Sequence, residues 1–253
     1  MTIKNPTPND VGELKELWKE AFGDTDDFID LFFSLAFSPE HSLCVYEGSS
    51  LAAGLYWFDA YLGNEKVAYI YGVATKKTHR SKGFSTALLK EAHRQLKNSG
   101  YSAAILVPAD AGLFGFYGRL GYRECCFIDS EKHTAKASRS VFEKISAEEY
   151  LTLRNSYLPQ NSILFVNERL HFLAAITDFY KSDDFIFAKN KDGQELKIIE
   201  FFGDKAKISS VISALGFEVG AVRLYGKSKP FAMYVPLAEG FSLLPEYLGF
   251  AFD

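Results

Sequence analysis

The sequence lacks several features that would have assigned its class at once. Only three cysteines occur in 253 residues, and they do not have the paired spacing of a metal site. Adjacent Cys125 and Cys126 alternate faces if they lie in a strand, so we interpret them as structural rather than redox-active. No apolar run is long enough to span a membrane, and the N-terminus has no signal-peptide core. We therefore expect a cytoplasmic protein without a metal site or a membrane segment.

Net positive charge is also lacking. The formal net charge of −4 argues against a dedicated nucleic-acid binder and weakly favours a cationic amine as a partner. Hydrophobic residues make up 47% of the chain and aromatic residues 15%, so the chain can bury a core and long disorder is not expected. Its length allows one large domain or two compact ones.

The most informative stretch predicts a strand, a basic turn, a helix and a second strand. An apolar run at 67–75 indicates the first strand, and a helical pattern follows, with Ser85 or Thr86 expected as its N-cap. The second strand is predicted at 103–107, before a proline. A turn between a strand and a helix presents free N–H groups and the positive end of the helix dipole, which together favour phosphate.

The residue types in this turn fit a phosphate site. Arg80 and Lys82 supply positive charge, and Gly83 lets the backbone approach a ligand closely. Ser85 and Thr86 offer small hydroxyl side chains where the helix starts. Alone, this R-x-x-G-x-S pattern is equally typical of an ordinary exposed turn, so the residues further along must decide.

Two blocks occur here in an order and at a distance that are typical of a known family. Residues 80–85 are RSKGFS, and residues 113–122 are LFGFYGRLGY. They resemble, respectively, the Q/R-x-x-G-x-G/A loop and the L-x-x-F-Y-x-x-x-G-F block of the GNAT superfamily of acetyl-CoA-dependent N-acetyltransferases. The similarity is closest to the branch with the enhanced-intracellular-survival acetyltransferases. Ser85 departs from the family's Gly or Ala, and we expect it to crowd the phosphates without excluding them.

The resemblance implies a coenzyme A site and one catalytic residue. In the family, the loop amides bind the pyrophosphate of coenzyme A, and a tyrosine at the position of Tyr117 protonates the leaving thiolate. A backbone N–H of Val73 or Ala74 would polarise the thioester carbonyl. The alternative for Tyr117 is a packed tyrosine on an amphipathic helix, and we interpret Tyr122 as packing. The implied cofactor-binding residues are Val73, Ala74, Thr75, Arg80, Ser81, Lys82, Gly83, Phe84, Ser85, Thr86, Ala109 and Asp110.

A general base is missing from its expected place. Many family members carry a Glu on the cofactor strand, but residues 68–72 are AYIYG. Water could relay the amine proton, or a carboxylate could come from elsewhere. The chain ends in YLGFAFD, which is too apolar for a frayed end, and in the resembling branch the terminus returns to the active site. We predict that Asp253, through its side chain or its α-carboxyl, is the base near Tyr117. The alternative is a terminal segment that only packs its aromatic side chains.

The element order predicts a mixed α/β (α+β) GNAT fold, with a mostly antiparallel central sheet flanked by helices and a second, smaller GNAT-like half. We assign residues 1–140 to the acetyltransferase domain and 141–253 to an incomplete domain without its own cofactor loop. Residues 131–140 are predicted as a boundary loop and 163–180 as a helix. A hairpin is predicted at 185–202, with its turn at 191–193.

The resemblance implies an N-acetyltransferase that moves an acetyl group from acetyl-CoA to a primary amine of a small molecule or peptide by direct attack. The alternative is an acyl-CoA-binding regulatory or sensor protein with little turnover, because the strand carboxylate is missing. The expected partners are acetyl-CoA and an amine, with no nucleic acid and no membrane. The sequence does not identify the acceptor amine or the oligomeric state.

Overall fold

The computed structural model describes residues 1–137, 140–165, 170–191 and 195–252. In chain order, the strands within these residues are β1 (Thr2–Lys4), β2 (Ser42–Glu47), β3 (Ser50–Leu62), β4 (Glu65–Thr75), β5 (Ala103–Leu106), β6 (Arg123–Thr134), β7 (Glu143–Ile145), β8 (Ile163–Phe165), β9 (Thr177–Lys181), β10 (Phe185–Asn190), β11 (Leu196–Gly203), β12 (Val219–Tyr225) and β13 (Lys229–Pro236). The α-helices there are α1 (Val11–Phe22), α2 (Asp26–Leu35), α3 (Phe84–Asn98), α4 (Ala111–Gly118), α5 (Ala147–Arg154), α6 (Leu170–Ile176) and α7 (Ile208–Ala214).

The chain forms two compact units whose segments alternate along the sequence. The first unit comprises Met1–Glu124, Leu164–Phe172 and Ala232–Leu243. The second comprises Cys125–Ile163, Leu173–Phe231 and Leu244–Asp253. The division of the chain into domains at residue 140 stays a prediction. In the part of the chain that the structure describes, none of the helices has the length and apolar character needed to cross a membrane.

The first unit is built on a sheet in the strand order β1-β2-β3-β4-β5-β13. Its neighbouring strands are antiparallel except for β4 and β5, which run parallel because α3 carries the chain from one to the other. Helix α3 buries Leu88, Ala92 and Leu96 in the main core of this unit, as their spacing predicts. The core therefore holds the first turn of α3 in a defined place beside the end of β4.

Helices α1 and α2 contribute an aromatic cluster to the same unit. The rings of Trp18 and Phe32 lie 4.4 Å apart, and both pack near Tyr56 and Tyr71 of the sheet. The indole N–H of Trp18 donates a hydrogen bond of 2.8 Å to Asp24, which ties the connection between the two helices to the core. This cluster anchors α1, whose Glu13 accepts a hydrogen bond from Lys76 Nζ at 3.1 Å just after the end of β4.

The second unit repeats the pattern of the first in smaller form. Its strand order is β6-β12-β11-β10-β9-β7, with β11 and β12 parallel and α7 between them in the chain. The other pairs are antiparallel. The predicted hairpin is present as β10 and β11, although residues 192–194 of its turn lie outside the described residues. The predicted fold class, a mixed α/β fold with a mostly antiparallel sheet and a second, smaller half, is confirmed.

Two local predictions for this part of the chain are wrong. Residues 131–134 continue β6 rather than open a boundary loop, because β6 pairs with β12 up to the Val219–Thr134 register. Residues 129–134 are all polar and none of them is buried, so their sequence predicts a linker although they form a strand. The stretch 163–180 is not one helix, since it contains β8, α6 and β9. Pairing of β9 with β10 and β7 favours the strand for its Thr, Phe and Tyr residues.

A buried ion pair lies at the centre of the second unit. Arg154 donates two hydrogen bonds, of 2.7 and 2.8 Å, to the two oxygens of Glu200. The hydroxyls of Tyr150 and Tyr247 donate to the same carboxylate at 2.9 and 2.7 Å. A Cβ at Gly249 would lie 1.9 Å from a Glu200 oxygen, so only glycine lets the terminal backbone cross the pair.

The terminal segment is packed, as its aromatic content predicts. Its buried residues are Tyr247, Leu248, Phe250, Ala251 and Phe252. The guanidinium of Arg154 lies 4.7 Å from the ring centre of Phe250, which adds a cation–π contact to the ion pair. Asp253 lies outside the described residues, so its role as a base stays a prediction.

Candidate functional site

The loop between β4 and α3 has the geometry of an anion site. Helix α3 begins at Phe84, and Gly83 is its N-cap, in a left-handed conformation with φ 78° and no side-chain cap. The prediction of Ser85 or Thr86 as the N-cap is wrong, because both lie inside the first turn. The hydroxyl of Ser85 instead forms a 2.7 Å hydrogen bond with that of Thr75, which ties the end of β4 to the start of α3.

The backbone N–H groups of this loop are free to bind a ligand. No acceptor within the described parts of the chain takes a hydrogen bond from the amides of residues 81–86, and the first intrahelical bond runs from Ala87 to the Gly83 carbonyl. Ser81 also has a positive φ, of 63°. A run of unpartnered amides at the positive end of a fifteen-residue helix favours a negatively charged group.

A cavity of about 330 Å³ opens at these amides. Phe116 of α4 contributes to its wall, and the polar part of the wall comes from the loop. The lining residues are Thr75, His79, Arg80, Ser81, Gly83, Phe84, Ser85, Thr86 and Phe116. Most of the predicted cofactor-binding residues therefore meet at one cavity, and the structure adds His79 and Phe116 to them.

Strands β4 and β5 separate close to this cavity. Their parallel pairing covers Val67 to Tyr69 of β4 and ends there, although β4 continues to Thr75. The register between β3 and β4 shifts in the same region, at Gly72, whose φ is 61°. Val73 and Ala74 follow that shift, on a part of β4 that has no partner in β5. This leaves a backbone edge open where the resemblance places the thioester carbonyl, and the role of these two residues stays a prediction.

The two cations of the loop have different surroundings. Arg80 lines the cavity and donates a hydrogen bond from Nε to the Thr75 carbonyl at 3.4 Å. Lys82 does not line the cavity, since its Nζ donates to Glu47 Oε2 at 2.9 Å. The same carboxylate oxygen lies 3.4 Å from His79 Nε2. Glu47 therefore neutralises part of the positive charge that the sequence predicts for this loop.

Tyr117 lies on α4 in a nearly closed environment, with 7% of its surface exposed. Burial, followed by the nearby Asp110 carboxylate, raises the pKa of Tyr117 to about 12, so the phenol is protonated at neutral pH. Its ring packs edge-on against Tyr122, and the Tyr122 hydroxyl is 2.8 Å from His93 Nε2. A protonated, firmly packed phenol fits a proton donor, and the same packing fits a structural role.

The remaining predicted residues do not line the cavity. Ala109 and Asp110 are exposed in the connection between β5 and α4. The carboxylate of Asp110 accepts hydrogen bonds from the amides of Gly112 and Leu113, which caps α4. Their cofactor contacts stay predictions. Within the described residues, no cluster of His, Cys, Asp or Glu could hold a metal ion.

The comparisons with known proteins agree with this geometry. A family model described as an acetyltransferase (GNAT) domain matches residues 2–125, which include the loop, the cavity and Tyr117. Residues 2–125 are a GNAT acetyltransferase domain. The family recognised in the sequence is confirmed, and the protein is an acyltransferase. A search of the curated proteins finds none that matches the chain.

Solved structures share the fold across both halves. A GCN5-related N-acetyltransferase from Kribbella flavida matches with a TM-score of 0.67 and 13% identity, over 93% of this chain and 72% of that one. Eis1 from Mycobacterium abscessus matches with a TM-score of 0.62 and 12% identity, over 94% and 74%. A putative acetyltransferase from Pyrococcus horikoshii gives 0.66 and 12%, over 97% and 90%. At these identities the matches show the fold alone.

The second unit differs from the GNAT domain at the point that corresponds to the cofactor loop. There the connection from β11 to α7 passes through Asp204, whose carboxylate accepts a hydrogen bond from the Ala206 amide at 3.0 Å. A carboxylate at this position both occupies an amide and repels an anion. In the GNAT domain Gly83 directly precedes α3 without a side-chain cap, whereas Asp204 caps a short 3-10 turn and α7 begins only at Ile208. That the second half has no cofactor loop of its own stays a prediction.

Proposed function

We propose that this protein transfers the acetyl group of acetyl-CoA to a primary amine of a small molecule or peptide. The observation that carries the proposal is the row of free amides at residues 81–86, which open onto a cavity at the N-terminus of α3. The amides and Arg80 bind the pyrophosphate, because hydrogen bonds to a charged acceptor are stronger than those between neutral groups. The open edge of β4 beyond Tyr69 receives the acyl end of the same molecule.

Two groups of the domain act on the thioester. A backbone N–H of Val73 or Ala74 polarises the carbonyl, and the amine nitrogen attacks the carbonyl carbon directly. The carbon–sulfur bond then breaks, and Tyr117 stabilises the leaving thiolate by donating its phenolic hydrogen. The phenol of Tyr117 is protonated at the start of the cycle and so has a hydrogen to donate, while its pKa, raised to about 12, makes it a weaker acid than an exposed tyrosine.

The amine must lose a proton, and β4 offers no carboxylate for it, since residues 68–72 are AYIYG. We propose Asp253 as the acceptor of that proton, through its side chain or its α-carboxyl. The proposal rests on the resemblance, because in that branch the chain terminus returns to the active site. A relay through water is the alternative.

A thiol-release assay with acetyl-CoA and a panel of amines tests the function. The panel contains polyamines, aminoglycosides, amino acids and peptide N-termini. We expect at least one amine to raise thiol release well above the rate of hydrolysis without amine. Tight coenzyme A binding with no stimulation by any amine would favour the binding or sensor function, and absence of coenzyme A binding would contradict the proposal.

A further inference from the structure

Glu47 is a charged group beside the cofactor loop that the proposed reaction does not use. It is the last residue of β2, and its side chain is 48% exposed. Its Oε2 atom accepts a hydrogen bond from Lys82 Nζ at 2.9 Å and lies 3.4 Å from His79 Nε2. The hydrogen bond from Lys82 lowers the pKa of Glu47, so the carboxylate is ionised at neutral pH.

The contact with Glu47 holds Lys82 away from the cavity. Lys82 is next to Gly83 in the chain, yet it does not line the cavity, because its ammonium is held at Glu47. His79 lines the cavity, and its two ring nitrogens face Thr78 Oγ1 at 2.8 Å and Glu47. One carboxylate therefore restrains two groups that could face an anion at the loop.

We infer that Glu47 determines the affinity of this site for phosphate-bearing ligands by competing with them for Lys82 and His79. The inference rests on the proposed binding of coenzyme A at the loop. When the phosphates bind, Lys82 exchanges the Glu47 carboxylate for a phosphate oxygen. Glu47 thus lowers the affinity for coenzyme A, first by holding the lysine and second by placing a negative charge near the phosphates.

The alternative role for Glu47, ordering the loop, predicts the opposite effect of its removal on coenzyme A binding. If Glu47 served to order the loop, its removal would weaken binding, because the ligand would have to fix Lys82 and His79 itself. An exposed ion pair contributes little to order, whereas a nearby charge acts directly on a polyanion. The geometry favours competition, since the carboxylate draws Lys82 out of the cavity wall.

Calorimetry with coenzyme A and the full-length protein tests the inference. We expect Glu47→Gln to bind coenzyme A about three- to tenfold more tightly, and the gain to shrink at high salt. In a Lys82→Met background the same substitution should give a smaller gain, because the main competitor is absent. Unchanged or weaker binding by Glu47→Gln would overturn the inference.

Glu131→Gln is the matched control. Glu131 belongs to the second unit, is 49% exposed, and pairs with His133 at 2.8 Å, so its substitution removes one charge from a similar pair. We expect this variant to bind coenzyme A with the wild-type affinity. If its affinity rises as much as that of Glu47→Gln, the effect is a nonspecific effect of charge, and the inference is overturned. If the wild-type protein does not bind coenzyme A, both the proposed function and the inference fail. If the wild-type protein binds and Glu47→Gln does not bind more tightly, only the inference fails.

Discussion

Gly83 offers a sharp test of the cofactor loop, because the chain contains a matched control for it. Gly83 precedes α3 with φ 78°, and Gly100 follows the same helix with φ 79°. Both residues are exposed, and a Cβ built at either one meets no heavy atom within 4 Å. Alanine at the two positions therefore has the same backbone strain and the same free space, at opposite ends of one helix.

The cost to the fold should be equal for the two variants. A left-handed conformation costs an L-residue about 1–2 kcal/mol, which corresponds to a fall in Tm of about 2–8 °C for a chain of this size. Thermal unfolding of Gly83→Ala and Gly100→Ala should show similar shifts.

The cost to binding should differ. A methyl group at Gly83 stands beside the free amides of residues 81–86 and hinders hydrogen bonds that are worth about 1.5–3 kcal/mol each to a charged acceptor. Loss of one such bond weakens coenzyme A binding by at least about tenfold. Gly100→Ala should keep the wild-type affinity. Calorimetry that finds equal affinities for wild type and Gly83→Ala, or equal losses in both variants, would refute the assignment of the loop.

Three further predictions concern the catalytic residues and the second unit. Tyr117→Phe should leave the Kd for coenzyme A within about twofold and lower turnover by about 10²–10⁴-fold. An undiminished rate in the thiol-release assay would show that Tyr117 is a packing residue and not the proton donor. For Asp253, the Asn variant or a protein with a short added tail, or both, should acetylate more slowly, and wild-type rates for both at every pH would exclude the terminus as the base. Glu200→Ala should lower the free energy of unfolding by about 3–5 kcal/mol, because it leaves the Arg154 guanidinium buried without a partner. Urea unfolding measures this, and the double variant Arg154→Met, Glu200→Leu should recover most of the loss; equal instability of the two would argue against an unpaired charge as the cause.

The sequence predicts those parts of the fold whose conformation depends on residues close to them in the sequence. Strand β4, helix α3 and its buried stripe of Leu88, Ala92 and Leu96 all follow from local periodicity. Strand β9 did not, because its strand conformation depends on pairing with β10 and β7 rather than on its own pattern. The polar sequence of residues 131–134 likewise predicts a loop, although these residues form a strand whose partner lies about ninety residues further along the chain.

The same limit applies to charged groups that act through space. Glu47 precedes Lys82 by 35 residues, and nothing in its local sequence indicates a contact with the cofactor loop. Arg154 and Glu200 are separated by 46 residues and look like ordinary surface charges in the sequence. A buried ion pair was not expected at either position, because burial of a charge depends on the packing of the whole unit.

The cofactor loop was predictable for a physical reason that also explains the contrast between the two units. A phosphate site of this kind needs consecutive backbone amides and a helix start without a competing acceptor, and both are properties of about six neighbouring residues. In each unit a helix joins two parallel strands, so the backbone plan alone does not decide which unit binds an anion. The connection before the helix differs between the units: Gly83 leaves the amides of residues 81–86 open, whereas the Asp204 carboxylate accepts a hydrogen bond from the Ala206 amide in the turn before α7. The acceptor amine and the base depend instead on groups brought together from distant parts of the chain, which is why the same sequence predicts the cofactor loop in detail and the acceptor not at all.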